Sequence, residues 1–315
     1  MAKRRKKSTN SISYLIAVIV VAILSALGIR FGTQSQQAVN VVNLDNLENI
    51  TITTGKEITQ EFVSEEKENL QVYFFDVGQA DSILVKNEDQ TMLIDAGNNE
   101  DGELLVKNLQ TLQVTKIDYL IGTHPHEDHI GGLDDIIQNF EIENIYMPNV
   151  QTNTKTFEDV LDAVAQKDLT ITTPKVHHTF QIGEAQCEIM AVGDDADNLN
   201  LASIVIQMKF DGLTYLFTGD AEEEIEQKLE VGKVNILKAG HHGSDTSSSE
   251  NFLQKIAPEV AIISVGEDNS YKHPSQTVLD RLEQIGSKVY RTDKVGNIWI
   301  EQKNKKLKGG YYENS

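Results

Sequence analysis

Cysteine is almost absent from this chain, and its scarcity excludes a fold built on disulfides. Cys187 is the only cysteine among 315 residues, so no intrachain disulfide can form. It lies in an apolar–polar alternation from Ala185 to Ala191, far in sequence from the histidine-rich motifs, which argues against a thiolate metal ligand. A buried cysteine is the default for such a position. A chain of this length can bury a core that needs no disulfides.

Basic residues are also scarce. The chain has 28 Lys and Arg against 48 Asp and Glu, a formal net charge of −20. Proteins that follow a nucleic-acid backbone normally present a basic face, but residues 70–302 contain no basic cluster, and beyond them only the short segment from Lys303 to Lys308 forms one. The charge therefore disfavours a processive nuclease and leaves room for small phosphodiesters, nucleotides or choline-bearing wall polymers. The absence of internal repeats excludes a solenoid.

One long apolar run is present, near the N terminus. It extends over residues 12–29 and follows the basic cluster Lys3 to Lys7. Its length predicts a single transmembrane helix, and the positive charges predict that residues 1–11 stay in the cytoplasm and the body lies outside the cell membrane. The alternative is a secreted protein with a cleaved signal peptide, although residues 25–28 make a poor cleavage site.

The remaining chain predicts one folded domain. Residues 30–69 are rich in Gln, Asn, Thr and Glu and are interpreted as a stalk or linker with a short strand at most; residues 70–302 form the domain, and residues 303–315 a polar tail. Apolar runs predict the following elements: strands at Val72 to Phe75, Ser82 to Val85, Met92 to Ile94, Ile117 to Ile121, Leu213 to Phe217, Val234 to Leu237 and Val260 to Val265, and a helix from Gln276 to Ile285.

The most informative stretch is Thr-His-Pro-His-Glu-Asp-His-Ile-Gly-Gly at residues 123–132. His124, His126, Asp128 and His129 fall within six positions. Imidazole and carboxylate ligands together suit Zn, Mn or Fe. The first two histidines can point the same way from an extended segment, whereas the adjacent pair points elsewhere, so one loop can serve two neighbouring ions. The motif follows a predicted strand and precedes an apparent helix, where α/β sheets place their sites.

This stretch resembles the HxHxDH signature of the metallo-β-lactamase superfamily at every position. The resemblance implies an α/β fold, a four-layer αβ/βα sandwich, with a hydrolytic site for one or two divalent metal ions, Zn or Mn, between its two sheets. It predicts that the metal ligands are His124, His126, Asp128, His129, Asp220 and His241.

The other site residues follow from the same resemblance. Asp220, in Thr-Gly-Asp, matches a carboxylate that bridges both metals, and Asp95 matches a residue that orients a ligand histidine through a hydrogen bond. Of the adjacent His241 and His242, the first is favoured as the ligand and the second as a contact to the ligands or the substrate, although the sequence alone leaves their order open. His273 is predicted at the mouth of the site, as a general acid or a phosphate contact.

One ligand that is usual in the superfamily is missing. No histidine precedes the strand that leads to Thr-Gly-Asp, where Asn198 and Asn200 stand instead, and either could coordinate weakly or hold a water. His177 and His178 lie too far upstream and are interpreted as structural. The first metal position is therefore weak or replaceable, and a mononuclear site of Asp128, His129, Asp220 and His241 is an alternative.

The departures match one branch of the superfamily. Phe-Asp-Val-Gly-Gln-Ala-Asp-Ser at residues 75–82, Asn-x-x-Ser at 200–203, His-His-Gly-Ser at 241–244 and the late Lys-His-Pro resemble the C-terminal hydrolase domain of the competence DNA-uptake protein ComEC and its stand-alone relatives. The resemblance covers roughly residues 70 to 302. Members with these features also resemble cell-surface phosphorylcholine esterases, and both chemistries cleave phosphodiesters.

These features predict a membrane-anchored, externally facing phosphodiesterase or nuclease. A divalent ion would acidify a bound water for attack on phosphorus, with Asp128 as a catalytic ligand that positions metal and nucleophile. His273 and the backbone of Gly243 and Ser244 would stabilise the developing charge. Asp81 and Gln79 would border the pocket.

The predicted partners are a phosphodiester substrate, either nucleic acid or a small or cell-wall ester, and the membrane, with no obligate protein partner. Two alternatives remain. One is an amide or ester metallohydrolase that acts on a lactam or lactone, against which the incomplete histidine set counts. The other is a binding protein that keeps the fold without turnover.

Overall fold

The computed structural model describes residues 50–54 and 69–314, and the structural statements that follow concern these residues. They form two mixed β-sheets with helices on the outer faces. The strands in chain order are β1 Ile50–Thr54, β2 Leu70–Phe74, β3 Ile83–Asn87, β4 Gln90–Ile94, β5 Lys116–Ile121, β6 Glu141–Tyr146, β7 Ile171–Thr172, β8 Thr179–Ile182, β9 Ala185–Ala191, β10 Val205–Phe210, β11 Leu213–Phe217, β12 Ile236–Lys238, β13 Val260–Ile263, β14 Lys288–Arg291, β15 Asn297–Lys303 and β16 Lys306–Tyr312.

The helices lie mostly in the connections between parallel strands. They are α1 Gly102–Thr111, α2 Glu127–Ile130, α3 Leu133–Asn139, α4 Lys155–Gln166, α5 Glu223–Glu226, α6 Glu250–Ile256, α7 Gln276–Gln284 and α8 Thr292–Val295, with short 3₁₀ turns at Asn99–Asp101, Leu199–Ala202 and His241–Gly243. The longer helices are amphipathic: α4, for example, buries Phe157, Val160 and Val164 on one side.

The strand order shows how each sheet is built. The first sheet has the order β1-β16-β15-β2-β3-β4-β5-β6-β7, and the second has the order β14-β13-β12-β11-β10-β9-β8. Strands β4 to β7 run parallel, as do β11 to β14, whereas the other halves are antiparallel apart from the parallel pair β1 and β16. The parallel halves therefore direct their carboxyl ends toward common edges.

Three apolar cores separate the layers. Strand β2 is buried along its whole length, because Val72 and Phe74 face the second sheet while Tyr73 faces the helices α1, α3 and α4. A third core joins the outer face of the second sheet to α6 and α7, through residues such as Leu253 and Leu282. The layers are therefore helix, sheet, sheet and helix, which is the sandwich that the sequence predicted.

The sheet continues into segments that the sequence assigned to a stalk and a tail. Strand β16 lies beyond residue 302 and pairs with β15 over seven residues, and β1 pairs in parallel with β16. Leu307 and Tyr312 of β16 are buried. Residues 303–312 therefore belong to the first sheet, and the polar appearance of this segment reflects its alternation with exposed lysines rather than a free tail.

The predicted transmembrane helix at residues 12–29 lies outside the described residues. Among those that the structure describes, no helix combines the length and apolar character needed to cross a membrane.

Candidate metal centre

The candidate site lies where the carboxyl ends of strands from both sheets meet. The segment from His124 to His129 follows β5 of the first sheet, whereas Asp220 follows β11 and His242 follows β12 of the second sheet. Because β5 and β4 are parallel, Asp95 leaves β4 at the same edge. Strand ends at such an edge are the usual place for sites in α/β sheets, and here they bring together residues that are far apart in sequence.

Four side chains converge most closely. Ligand atoms of Asp128, His129, Asp220 and His242 all lie within 4.8 Å of one another. Nε2 of His129 is 3.3 Å from Oδ1 of Asp220, and Nε2 of His242 is 3.2 Å from Oδ2 of Asp128. His129, Asp220 and His242 are buried, and Asp128 is partly exposed. The geometry therefore gives two imidazoles and two carboxylates, with one partly open side.

The polar atoms in this cluster fit a bound cation. Among the described residues, Nε2 of His129, Nε2 of His242 and Oδ1 of Asp220 are buried without a hydrogen-bond partner. Buried polar atoms normally have one, so three such atoms that face one another need an explanation. Imidazole nitrogen and carboxylate oxygen together suit Zn or Mn, and a divalent ion would satisfy all three.

A hydrogen bond from behind orients His129. Its Nδ1 donates to Oδ2 of Asp95 at 2.8 Å, which turns Nε2 toward the cluster. The Asp95 carboxylate is held in turn by Thr123, whose backbone N–H and hydroxyl donate to it at 2.7 and 2.8 Å. Such outer contacts fix the tautomer and the direction of a ligand histidine. The structure thus places Asp95 where the sequence predicted an orienting carboxylate.

His242, not His241, faces the four-residue cluster. Nδ1 of His242 donates to the carbonyl oxygen of Ser264 at 3.1 Å, so Nε2 keeps its lone pair for a metal. Nε2 of His241 lies 3.8 Å from Asp220, and its side chain is partly exposed. The sequence favoured His241 as the ligand; in this structure Nε2 of His242 lies within the group of four, 3.7 Å from Asp220, whereas His241 lies outside that group. The reason is the backbone: His241, His242 and Gly243 all have positive φ, so the chain turns sharply between the two imidazoles.

His124 and His126 form a second group beside the first. Nε2 of His124 lies 3.0 Å from Nδ1 of His126 and 3.9 Å from Oδ2 of Asp220. Their rings meet edge to face, with the two planes 80° apart. Among the described residues, neither histidine belongs to a group of three ligand atoms that all lie within 4.8 Å of one another, so the predicted first metal position is less compact than the cluster around His129.

Asn200, which stands in the sequence near where the usual histidine is missing, belongs to a polar network around Glu222. Asn200 is buried and donates to Oε1 of Glu222 at 3.2 Å, and Asn198 donates to Oε2 at 3.0 Å. Thr246 also donates to Oε1, and Nδ1 of His241 lies 3.5 Å from it. Glu222 was not among the residues predicted from the sequence, where its position two residues after Asp220 is the only signal for it. The network holds the His241 loop against Asn200 at the rim.

Two glycines of the long motif allow close packing at the junction of two helices, and Gly132 is the N-cap of α3, which begins at Leu133 as the sequence indicated. A Cβ on Gly131 would lie 2.2 Å from the backbone carbonyl carbon of Asn98, and one on Gly132 would lie 2.6 Å from the carbonyl oxygen of Ala96. Helix α2 begins earlier, at Glu127, and contains both Asp128 and His129. The glycines therefore let the ligand-bearing helix approach the turn that carries Asp95.

His273 lies at the mouth of the site. Its ring centroid is 5.7 Å from that of His241 and 5.7 Å from that of the exposed Tyr271. Asn269 clamps the loop by accepting from the His273 backbone N–H at 3.0 Å and donating to its carbonyl at 2.7 Å. Ser244 is buried below and donates its backbone N–H to the carbonyl oxygen of His241 at 2.7 Å.

Of the remaining residues that the sequence singled out, some lie beside the cluster and others lie away from it. Asp81 is buried with Oδ1 3.5 Å from Nδ1 of His242, and Gln79 accepts from the backbone N–H of Gly266 at 3.2 Å. His177 pairs with Glu188 at 2.9 Å, and His178 contacts Tyr146, both away from the cluster. These two histidines are thus placed where a structural role was expected.

Burial and neighbouring charges shift the pKa values of the histidines in opposite directions. Burial lowers the pKa of His124 well below its usual value, so that imidazole is neutral. Burial also acts to lower the pKa of His129, but the carboxylates of Asp220 and Asp95 outweigh it and hold that pKa well above the usual value. Without a metal, His129 therefore carries a proton that a cation would replace.

The chain is similar to a known protein family and to several curated proteins. A family model described as the metallo-beta-lactamase superfamily matches residues 75–267. The ComE operon protein 3 of Bacillus subtilis is 32% identical over 258 residues, which cover 75% of this chain and 33% of that protein.

Two further relatives show the same pattern. Competence protein ComA of Neisseria gonorrhoeae is 30% identical over 235 residues, 72% of this chain and 31% of that protein. Recombination protein 2 of Haemophilus influenzae is 29% identical over 248 residues, 76% of this chain and 30% of that protein. The chain thus spans about a third of the length of the curated relatives that it matches.

Proposed function

Because the chain belongs to the metallo-β-lactamase superfamily, we propose that it is a metal-dependent hydrolase that cleaves phosphodiesters, as a phosphodiesterase or nuclease. The predicted relationship to the hydrolase domain of competence proteins is confirmed by the relatives in Bacillus and Neisseria. Since the chain matches only part of those proteins, their activities are a guide to this proposal and not a property of the chain.

One observation carries the hydrolase assignment: the unpaired ligand atoms of His129, His242 and Asp220 converge beside Asp128. A divalent ion held there would supply Lewis acidity and an acidified water molecule. Asp128 is the most exposed of the four ligands, so it faces the side from which a substrate can approach. The three buried residues His129, Asp220 and His242, with the partly exposed Asp128, would hold such an ion.

His273 supports the proposal from the mouth of the site. Burial and the neighbouring His241 lower its pKa, which keeps the imidazole neutral near pH 7. Its Nδ1 is buried and has no hydrogen-bond partner among the described residues. We propose that, in this neutral form, it donates a hydrogen bond from its ring N–H to a phosphate oxygen of the substrate.

Two features favour a phosphodiester over a lactam or lactone. The third histidine of the first metal position is absent, and Asn200 and Glu222 stand in its place. Relatives named for competence and recombination point to nucleic acid as the substrate class. The net charge of −20 favours short or flexible substrates over a long duplex held along its backbone.

The test uses the purified full-length chain, stripped of metal and reconstituted separately with Mn²⁺ and Zn²⁺. Single-stranded DNA, double-stranded DNA, p-nitrophenyl phosphorylcholine and nitrocefin are assayed side by side. We expect metal-dependent cleavage of at least one phosphodiester and none of nitrocefin. Asp220→Ala and His126→Ala should abolish it with the fold retained, whereas His177→Ala, an exposed histidine outside the site, should not change it.

The assay outcomes separate the alternatives. Turnover of nitrocefin alone would replace the proposal with an amide or ester hydrolase. Metal binding without turnover of any substrate would favour a binding protein. Full activity of Asp220→Ala with metal bound would show that the site is assigned wrongly.

We also propose that residues 12–29 anchor the catalytic body to the outer side of the cell membrane. The support is the apolar run and the basic cluster that precedes it. Membrane fractionation combined with external protease tests this: the body should sediment with membranes and be digested in intact cells. Recovery from the medium with a shortened N terminus would instead indicate signal cleavage.

A further inference from the structure

A lysine ammonium is buried next to the metal centre. Lys238 is the last residue of β12, and its side chain is fully inaccessible. Side chains alternate along a strand, so Lys238 shares a face with Ile236, which belongs to the core between the two sheets. The strand therefore directs the ammonium toward the end of the intersheet space, where the metal centre lies.

The ammonium is paired with a carboxylate. Nζ of Lys238 lies 2.8 Å from Oδ2 of Asp81, which is equally buried, and donates to the carbonyl oxygen of Ala239 at 3.0 Å. Replacing a buried ion pair with apolar side chains often leaves a protein equally or more stable. Its presence here therefore calls for a role other than stability.

The pair leads directly to a metal-facing histidine. Oδ1 of Asp81 has no hydrogen-bond partner in the described part of the chain and lies 3.5 Å from Nδ1 of His242. Nε2 on the opposite side of that ring faces Asp128 and Asp220. The backbone N–H of Asp81 also donates to the carbonyl oxygen of Asp128 at 3.0 Å. Asp81 thus touches two of the four candidate ligands.

We propose that Lys238 and Asp81 are positioning residues that hold the His242 imidazole with Nε2 directed at the metal. The arrangement resembles that of His129, whose Nδ1 donates to the Asp95 carboxylate at 2.8 Å. Nδ1 of His242 donates instead to the carbonyl oxygen of Ser264 at 3.1 Å, and the Asp81 carboxylate lies beside that nitrogen at 3.5 Å. Asp95 is held by two hydrogen bonds from Thr123, whereas Asp81 is held by the lysine. His129 and His242 thus each have a carboxylate beside Nδ1, and each carboxylate has its own donor.

The lysine also determines which way the Asp81 carboxylate faces. Because Nζ holds Oδ2, the other oxygen is left on the side of His242. Without the ammonium, the carboxylate would be free to rotate, and the imidazole would lose a fixed negative partner beside its Nδ1–H. Contacts of this kind typically change metal affinity about 10- to 100-fold.

The deciding experiment measures metal binding by the full-length chain without substrate. The variants are Lys238→Met, Asp81→Asn and the double variant Asp81→Asn with Lys238→Met, which leaves no buried charge unpaired. The matched control is Asp118→Asn with Lys116→Met, which removes an ion pair of 3.0 Å at the other end of β5. Competition titrations with Mn²⁺ and Zn²⁺ give the affinity, and the visible spectrum of bound Co²⁺ reports the ligand geometry.

We expect the double variant to fold, to bind metal about 10- to 100-fold more weakly and to show an altered Co²⁺ spectrum, with the control unchanged. A purely structural role would change the unfolding midpoint of the metal-free chain but not these two readouts. The proposal would be overturned if the double variant bound metal as tightly as the natural chain and gave the same Co²⁺ spectrum. If that variant does not fold, Asp81→Asn, which conserves the side-chain shape, decides by the same two readouts.

The inference rests on the metal centre of the proposed function and is independent of the substrate. If the natural chain bound no metal, the proposed function would fail and this inference with it. If the natural chain binds metal and the variants bind it equally well, only the inference fails.

Discussion

Asp95 and His129 are joined by a 2.8 Å hydrogen bond across 34 residues of sequence. The bond turns Nε2 of His129 toward Asp220 and Asp128, and it connects the end of β4 to the helix that follows β5. Both oxygens of Asp95 are already occupied by the N–H and hydroxyl of Thr123. The orientation of this imidazole therefore depends on a carboxylate that accepts three hydrogen bonds, two from Thr123 and one from His129.

Asp95→Asn should weaken metal binding about 10- to 100-fold. The amide that replaces one oxygen would place a donor against the donors of Thr123 or His129, so one hydrogen bond must be lost. Competition titration of the purified chain with Zn²⁺ measures the change. Asp118→Asn, at a buried aspartate of β5 away from the cluster, is the control. Equal affinities for the two variants would mean that Asp95 does not orient the ligand.

His242→Ala should reduce metal affinity more than His241→Ala. His242 places Nε2 3.2 Å from Asp128, whereas His241 approaches the cluster only at 3.8 Å and from the rim. Loss of a residue that only orients a ligand typically weakens metal binding by up to roughly 100-fold. We expect His242→Ala to weaken it by more than this, and His241→Ala to weaken it by about 10-fold or less. The same titration distinguishes them, and a larger loss for His241→Ala would restore the order that the sequence favoured.

Metal affinity should fall as the pH is lowered. In the metal-free chain the pKa of His129 is held well above its usual value, and that of His242 is raised by Asp220 and Asp128 despite burial. Below these pKa values both imidazoles are protonated, and the ion must displace their protons, at a cost of about tenfold in affinity per pH unit for each proton.

Calorimetry in two buffers of different ionisation enthalpy counts the released protons. Proton release should be seen in the range of about pH 5 to 8. His124 should not contribute near neutrality, because its lowered pKa leaves it already neutral. Binding without proton release throughout this range would contradict the charge balance of the cluster.

Leu307→Ala should destabilise the fold by about 2–5 kcal/mol. Leu307 is buried in the core between the sheets, on the strand that follows residue 302. Leu161→Ala, at a leucine that is 41% exposed, should change the free energy of unfolding by about 0.5 kcal/mol or less. Urea denaturation compares the two variants, and equally small effects would mean that residues 303–312 behave as a tail.

Much of the fold was predictable because its signals are local. The apolar runs at Ile117 to Ile121 and Leu213 to Phe217 match β5 and β11 closely. Strand β16 was missed because Lys306 and Lys308 alternate with Leu307 and two glycines, so its composition reads as polar. Its buried face becomes evident only when β15 and β1 pair with it.

The sequence by itself determined the chemistry of the site, since three histidines and an aspartate within six residues already specify a metal-binding loop after a strand. Only the tertiary structure decided between His241 and His242, because neighbouring residues with positive φ direct their side chains apart by an amount that no residue pattern encodes. The same holds for Lys238 and Asp81. Their pairing joins the end of β12 in the second sheet to the loop between β2 and β3 of the first sheet, which meet only when the sandwich closes.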